Sequence, residues 1–247
     1  MRPIENDGAP GGIEARYVHG DYLHNNPQWH SEHAPWKAAL VARLLSKNGI
    51  QPAEICEIGC GSGAVLLSLR KHLPKTRLVG FDISPQVSQF WEQHAASGAN
   101  IEFQRGSFDE IGERRFDVLL MLDVFEHVRD PFTFLEQARR CAAHFVFLIP
   151  LDLSASAVAR GRPLLDARRI VGHLHYYTKD LALAVLADGG YEIVHWRYTG
   201  ASLHMPSRSL KTQLASLPRR ILYALNRDLA VRLVGGDSLL VLARPAV

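Results

Sequence analysis

Glu57 stands two residues ahead of the first of three alternating glycines, Gly59, Gly61 and Gly63, in the run E-I-G-C-G-S-G. Apolar runs flank the glycines, so the chain must leave a buried strand, turn sharply and enter a helix at once. A residue without Cβ turns that tightly and lets the backbone approach a ligand. With Ala64 the same spacing satisfies the dinucleotide pattern G-x-G-x-x-G/A, so the glycines by themselves name no cofactor. Glu57 is more telling. A carboxylate beside the loop repels a pyrophosphate and attracts an ammonium or sulfonium group, which favours a cationic cofactor over a nicotinamide dinucleotide. Asp82 closes the next apolar run, within the window of about 20 residues after the loop where an acid binds ribose hydroxyls. That role suits any adenosine ligand. The competing role, a helix-capping acid, is the poorer one because Ser84 occupies the cap position.

Further along, Ser107 and Phe108 in R-G-S-F suit the edge and face of an adenine ring. His127, in E-H-V, follows an apolar run at the edge of a sheet where ligands bind. An imidazole there is the natural base for a hydroxyl near neutral pH. It reads equally as a residue that only packs or caps the following turn. H-L-H-Y-Y, with His173 and Tyr176, lines a pocket or staples a helix entry. The early run D-Y-L-H-N-N-P-Q-W-H holds Tyr22, Trp29 and His30, and aromatics in a Pro-punctuated extension need a surface to bury against. These three are candidate substrate contacts together with His173 and Tyr176.

The elements that must position these residues alternate regularly. A helix begins at Pro35 and ends near Gly49. Short apolar strands follow in E-I-C-E-I, R-L-V-G-F-D, I-E-F-Q-R-G, F-D-V-L-L-M-L and H-F-V-F-L-I-P, then Y-E-I-V-H-W-R-Y and D-S-L-L-V-L-A-R. Helical segments lie between them, and those starting at Ser84-Pro85 and Asp130-Pro131 carry a cap followed by Pro at the first helical position. Strands alternating with helices predict a doubly wound, mostly parallel seven-stranded α/β sheet with helices on both faces. The expected organisation is an extension over residues 1–34 and one domain over 35–247.

Composition excludes little but excludes it clearly. The 247 residues carry a formal net charge of +3, too weak to argue for nucleic acid, and no aromatic-basic motif supports RNA recognition. No apolar run approaches the ~20 residues that span a bilayer, and the first residues do not read as a secretory signal. Three cysteines make no metal-ligand pattern. A reduced cytoplasmic protein is expected. Around residues 205–235 lies a basic helical insert in which Ile221, Leu225, Leu229 and Leu233 recur every fourth residue. Peripheral contact with an anionic membrane is one reading. Arg232 falls almost in line with Ile221 and Leu225, so a helix packed on the sheet edge is the favoured one.

The four runs E-I-G-C-G-S-G, G-F-D-I-S, R-G-S-F and L-D-V-F-E-H-V-R-D-P, in that order, resemble a class I S-adenosylmethionine-dependent methyltransferase, in the broad group that includes ubiquinone-type O-methyltransferases. The likeness covers residues 35 to about 200. It implies S-adenosylmethionine as cofactor, with Glu57 and the glycine loop on its methionine part. It also implies Asp82 on the ribose, Ile83 lining the adenine pocket, and Leu122 and Asp123 beside the methionine moiety. Ser107 stands where the family usually carries an Asp, and its hydroxyl accepts a hydrogen bond without adding charge. The resemblance further implies an antiparallel C-terminal hairpin and an N-terminal extension closing over the cofactor as a lid. The expected activity is methyl transfer to a small molecule, most readily at oxygen, with His127 as the catalytic residue. Two other classes stay open: a non-catalytic cofactor-binding protein, and a nicotinamide-type oxidoreductase, for whose second domain the chain has little room.

Overall fold

The structure is a computed structural model that describes residues 29, 31–96, 98, 100–106, 110, 112–201 and 217–246. The fold class is α/β: a seven-stranded, mostly parallel sheet of the doubly wound type. Two compact units share the strands, one formed by residues 1–114 with 170–172 and the other by 115–169 with 173–247.

In the first unit, α1 (Ala34–Lys47) carries Pro35 in its first turn and buries Ala34, Ala38, Val41 and Leu45, the spacing of one helical face. It ends where expected, with Asn48 bonding back to the last turn and Gly49 at φ +69°. The helix packs on α2 (Ala64–Arg70). Strands β1 (Glu54–Ile58), β2 (Arg77–Asp82) and β3 (Glu102–Arg105) are parallel in the order β3-β2-β1, with Glu57 opposite Gly80 and Asp82 opposite Arg105. Arg114 bonds both Glu102 (2.8 Å) and Glu54 (3.1 Å) at the N-terminal ends of β3 and β1. The polar clip thus lies away from the C-terminal edge where Asp82 and the glycine loop sit. Between β2 and β3 run a 3-10 turn (Pro85–Val87) and α3 (Ser88–Ala96).

In the second unit, β4 (Phe116–Leu122) pairs in parallel with β5 (Ala142–Pro150). Both are almost wholly apolar and buried through their centres, as strands covered on both faces must be. The connecting helix α4 (Pro131–Ala138) starts as expected, the Asp130 carboxylate accepting from the Phe132 and Thr133 amides at 3.1 Å. Strand β7 (Ser238–Pro245) inserts antiparallel between β5 and β6 (Tyr191–Tyr198), giving the order β4-β5-β7-β6 and the expected C-terminal hairpin. Buried Asp237 locks the entry to β7. Its Oδ1 accepts from the Thr199 hydroxyl and the Gly200 amide, both at 2.8 Å, and its Oδ2 accepts from the Tyr223 hydroxyl.

Two features depart from expectation. Between β5 and helix α7 (Lys179–Asp188) lie short helices α5 (Ala155–Arg160) and α6 (Arg162–Asp166) and a π turn over 167–171, all too brief to show a period in the sequence. The basic insert is also not one helix. The Asn226 side chain accepts the Leu229 amide (3.0 Å), so α8 (Leu217–Leu225) ends and α9 (Arg227–Val234) begins there. The expected stripe therefore does not face the core. Ile221, Leu225, Leu229 and Leu233 are 54%, 79%, 43% and 43% exposed, while Tyr223, Ala230 and Val231 are buried instead.

Candidate active site

The glycine loop is a chain of left-handed residues, with φ of +68°, +51° and +76° at Gly59, Gly61 and Gly63. Its shape is fixed from β2 and α3. The Cys60 amide donates to Phe81 O (3.0 Å), the Gly61 amide to Asp82 Oδ2 (2.8 Å), and the Trp91 indole to Gly61 O (2.9 Å). His94 Nε2 lies 2.8 Å from Ser62 O. Trp91 stacks on Phe103 at 5.1 Å, and a Cβ on Gly63 would come within 2.5 Å of that phenyl ring. Trp91, His94 and Phe103 were not singled out from sequence, although the i, i+3 spacing of the first two on α3 was a usable signal.

Glu57 sits behind this loop, 2% exposed, and among the described residues its Oε2 accepts no hydrogen bond. Burial pushes its pKa up to about 8; Lys37 opposes the shift and Asp82 adds to it. A buried carboxylate with an unsatisfied oxygen calls for a cation. Asp82 is also buried, and burial raises its pKa while the Ser84 and Gly61 amides pull it back. Ser84 holds the N-cap position as expected, without a side-chain cap bond to the turn's amides; its hydroxyl donates to Gln86 Oε1 at 2.5 Å and its amide to Asp82 Oδ1 at 2.8 Å. Asp82 thus shapes the loop itself. Two of the roughly four acceptor positions of an ionised carboxylate are taken by these amides.

Ile83, beside it, is 38% exposed. Trp29 lies against Gly61, where any Cβ would run into its indole. Tyr22, His30, Ser107 and Phe108 lie outside the described residues.

In the second unit, Leu122 ends β4 and Asp123 follows at φ +56°, its amide donating to Leu148 O at 2.9 Å. A non-glycine residue held there stores strain, a feature that clusters at ligand sites. The next residues form a 3-10 turn (Phe125–His127) carrying Glu126, which has no exposed surface. Glu126 Oε1 lies 3.7 Å from His127 Nε2 and 3.9 Å from His173 Nε2. The two imidazole rings meet edge-on, 4.9 Å apart, and His173 Nδ1 is 2.5 Å from Asp152 Oδ2.

The backbone builds this cluster. Leu174 and His175 amides donate to Glu126 O at 2.9 and 3.2 Å, and Tyr177 stacks on Phe125 at 4.7 Å. His127 and His173 thus come together. Tyr176 differs, because its hydroxyl donates to Leu164 O at 2.8 Å. Glu126 and Asp152 were missed, since an acid after a strand reads as an ordinary loop residue until the partner segment is placed.

Around β1 and β2 the structure thus places a buried acid behind a left-handed glycine loop and a second buried acid at the end of the next strand. The chain belongs to the methyltransferase-domain family, whose model matches residues 29–196. S-adenosylmethionine is its cofactor, and the unsatisfied Glu57 oxygen fits that cation.

A ubiquinone biosynthesis O-methyltransferase of Cereibacter sphaeroides is 27% identical over 143 residues, 57% of this chain and 57% of that protein. A release factor glutamine methyltransferase of Enterococcus faecalis is 32% identical over 88 residues, 35% of this chain and 32% of that one. The chain therefore matches little more than half the length of the first and a third of the second. Among solved structures, magnesium protoporphyrin IX methyltransferase from Synechocystis PCC 6803 with bound SAH has a TM-score of 0.61 at 15% identity, covering 95% of this chain and 98% of that one. These likenesses show the fold. Among the described residues no helix is long and apolar enough to cross a membrane.

Proposed function

We propose that the protein transfers a methyl group from S-adenosylmethionine to an oxygen of a small molecule, with His127 as the residue on which loss of the acceptor's proton depends. The observation that carries this reading is the buried cluster after β4 and β5, where Glu126 faces both His127 and His173 and Asp152 holds the latter. Bound S-adenosylmethionine supplies an already activated methyl on positive sulfur, so the chain's own work is to hold the acceptor close and deal with its proton. Glu57 would hold the ammonium, Asp82 the ribose, and Ile83, Ser107 and Phe108 the adenine, with Leu122 and Asp123 beside the methionine part. Trp29, Tyr22, His30, His173 and Tyr176 remain the candidates for acceptor contact. The O-methyltransferase names among the relatives support oxygen as the target.

A test uses labelled S-adenosylmethionine with a panel of phenolic and alcoholic hydroxyls and a glutamine-containing peptide. Label in a hydroxyl acceptor is expected. His127→Ala should lower that turnover by about 10²–10⁴-fold with cofactor affinity nearly intact. Label confined to the peptide, or full activity in His127→Ala, would overturn the reading.

A further inference from the structure

We infer that Glu126, His127 and His173 bind one divalent transition-metal ion, and that the acceptor's hydroxyl is acidified on it. The second clause rests on the oxygen-transfer reading; the first does not. The three residues offer a carboxylate oxygen and two imidazole nitrogens, all within 4.8 Å of one another. The gaps from Glu126 Oε1 to the two Nε2 atoms, 3.7 and 3.9 Å, are too long for direct hydrogen bonds. They suit donors arranged around a shared ion: with metal–ligand bonds of about 2.1 Å, tetrahedral donors stand roughly 3.4 Å apart. The two gaps to Glu126 lie within a few tenths of an ångström of that spacing, and no gap in the set exceeds 4.8 Å.

The arrangement around the donors points the same way. Asp152 lies 2.5 Å from His173 Nδ1. A proton on Nδ1 then leaves the Nε2 lone pair directed at Glu126, which is how a carboxylate orients a metal-bound histidine. The main chain holds both sides in register through the two amides donated to Glu126 O. Two nitrogens with one oxygen favour zinc, cobalt, iron or manganese over magnesium and calcium, which prefer all-oxygen sets. Three protein ligands leave a coordination position open, the mark of a catalytic site rather than a structural one. A hydroxyl entering that position loses its proton to solvent near neutral pH, because the ion stabilises the resulting oxyanion. His127 then serves proton loss as a ligand.

The test titrates the full chain, freed of metal by chelation, with Zn²⁺ by calorimetry and with Co²⁺ by visible absorption; Mg²⁺ serves as the comparison ion. One Zn²⁺ per chain is expected, with a Co²⁺ spectrum of low coordination number. His173→Gln should weaken Zn²⁺ binding by about 100-fold or more, and Asp152→Asn by about 10–100-fold. Unchanged affinity for S-adenosylhomocysteine in both variants certifies that they are folded. Zn²⁺ held equally well by wild type and His173→Gln would overturn the site, since surface histidines would then account for it. Preference for Mg²⁺ would overturn the assignment of ion class. Hydroxyl methylation that survives complete chelation would overturn the acidification role, whereas Zn²⁺ binding without any hydroxyl acceptor would uphold the site and overturn the oxygen-transfer reading.

Discussion

Replacing Glu57 with Gln should move cofactor affinity and protein stability in opposite directions. In the free protein the Glu57 pKa is pushed up to about 8, mainly by burial. The cofactor's cation requires the ionised carboxylate, so binding at pH 7 must release close to one proton. Apparent affinity should fall about tenfold for each pH unit below 8 and level off above it. Stability of the free protein has the contrary sign. A carboxyl raised above its unfolded value contributes stability that is whole below about pH 4.5 and lost as pH rises toward 8, on the order of 1 kcal/mol per unit.

Glu57→Gln abolishes both dependences. It also removes a hydrogen bond to a charged group of about 1.5–3 kcal/mol, or roughly 10–150-fold in affinity at pH 8. Calorimetric titration at pH 6, 7 and 8, in two buffers of different ionisation enthalpy, reads affinity and proton release together. Thermal unfolding of the free protein over the same range reads the stability arm. A wild-type affinity that is flat between pH 6 and 8, or a Gln variant that binds as tightly as wild type, would show that the Glu57 carboxylate does not meet the cofactor's cation.

Asp82→Ala should weaken cofactor binding by about 1.5–3 kcal/mol and also lower unfolding stability by about 1–3 kcal/mol, because the Gly61 and Ser84 amides lose their acceptor; a urea titration with unchanged stability would remove its loop-shaping role. Gly63→Ala combines a left-handed φ of +76° with a Cβ 2.5 Å from the Phe103 ring. It should cost at least about 1 kcal/mol of stability and blunt cofactor binding, and wild-type affinity in a titration would contradict that. Asp237→Ala leaves the Tyr223 and Thr199 hydroxyls and the Gly200 amide without their shared acceptor. A loss of at least about 3 kcal/mol follows, lowering Tm by roughly 6–12 °C in a melting scan; a drop under about 2 °C would refute it.

The strands were readable because each signal was local. E-I-C-E-I and F-D-V-L-L-M-L are apolar runs punctuated by glycine or acid, and they became β1 and β4 with matching bounds. The cap-and-proline start at Asp130 was equally local and formed as read. The cofactor half was legible for a similar reason: Glu57, the glycines and Asp82 lie on consecutive elements. The histidine cluster was only half legible. His127 and His173 are 46 positions apart, and nothing near either residue shows that Glu126 and Asp152 join them; only the folded path of the chain after β5 does so. The insert misled because a four-residue period continues across Asn226, whereas one side-chain cap there resets the helix.

If the glycine loop, Glu57 and Asp82 hold S-adenosylmethionine, the cofactor must raise the melting temperature of the native chain. A ligand at about 100 times its Kd adds roughly 2.7 kcal/mol to native stability, or about 5–10 °C in Tm for a chain of this size. S-adenosylmethionine and S-adenosylhomocysteine should each raise Tm by that order, with the gain largely lost in Glu57→Gln, while NAD and NADP leave Tm unchanged. A rise with NAD alone would contradict the account.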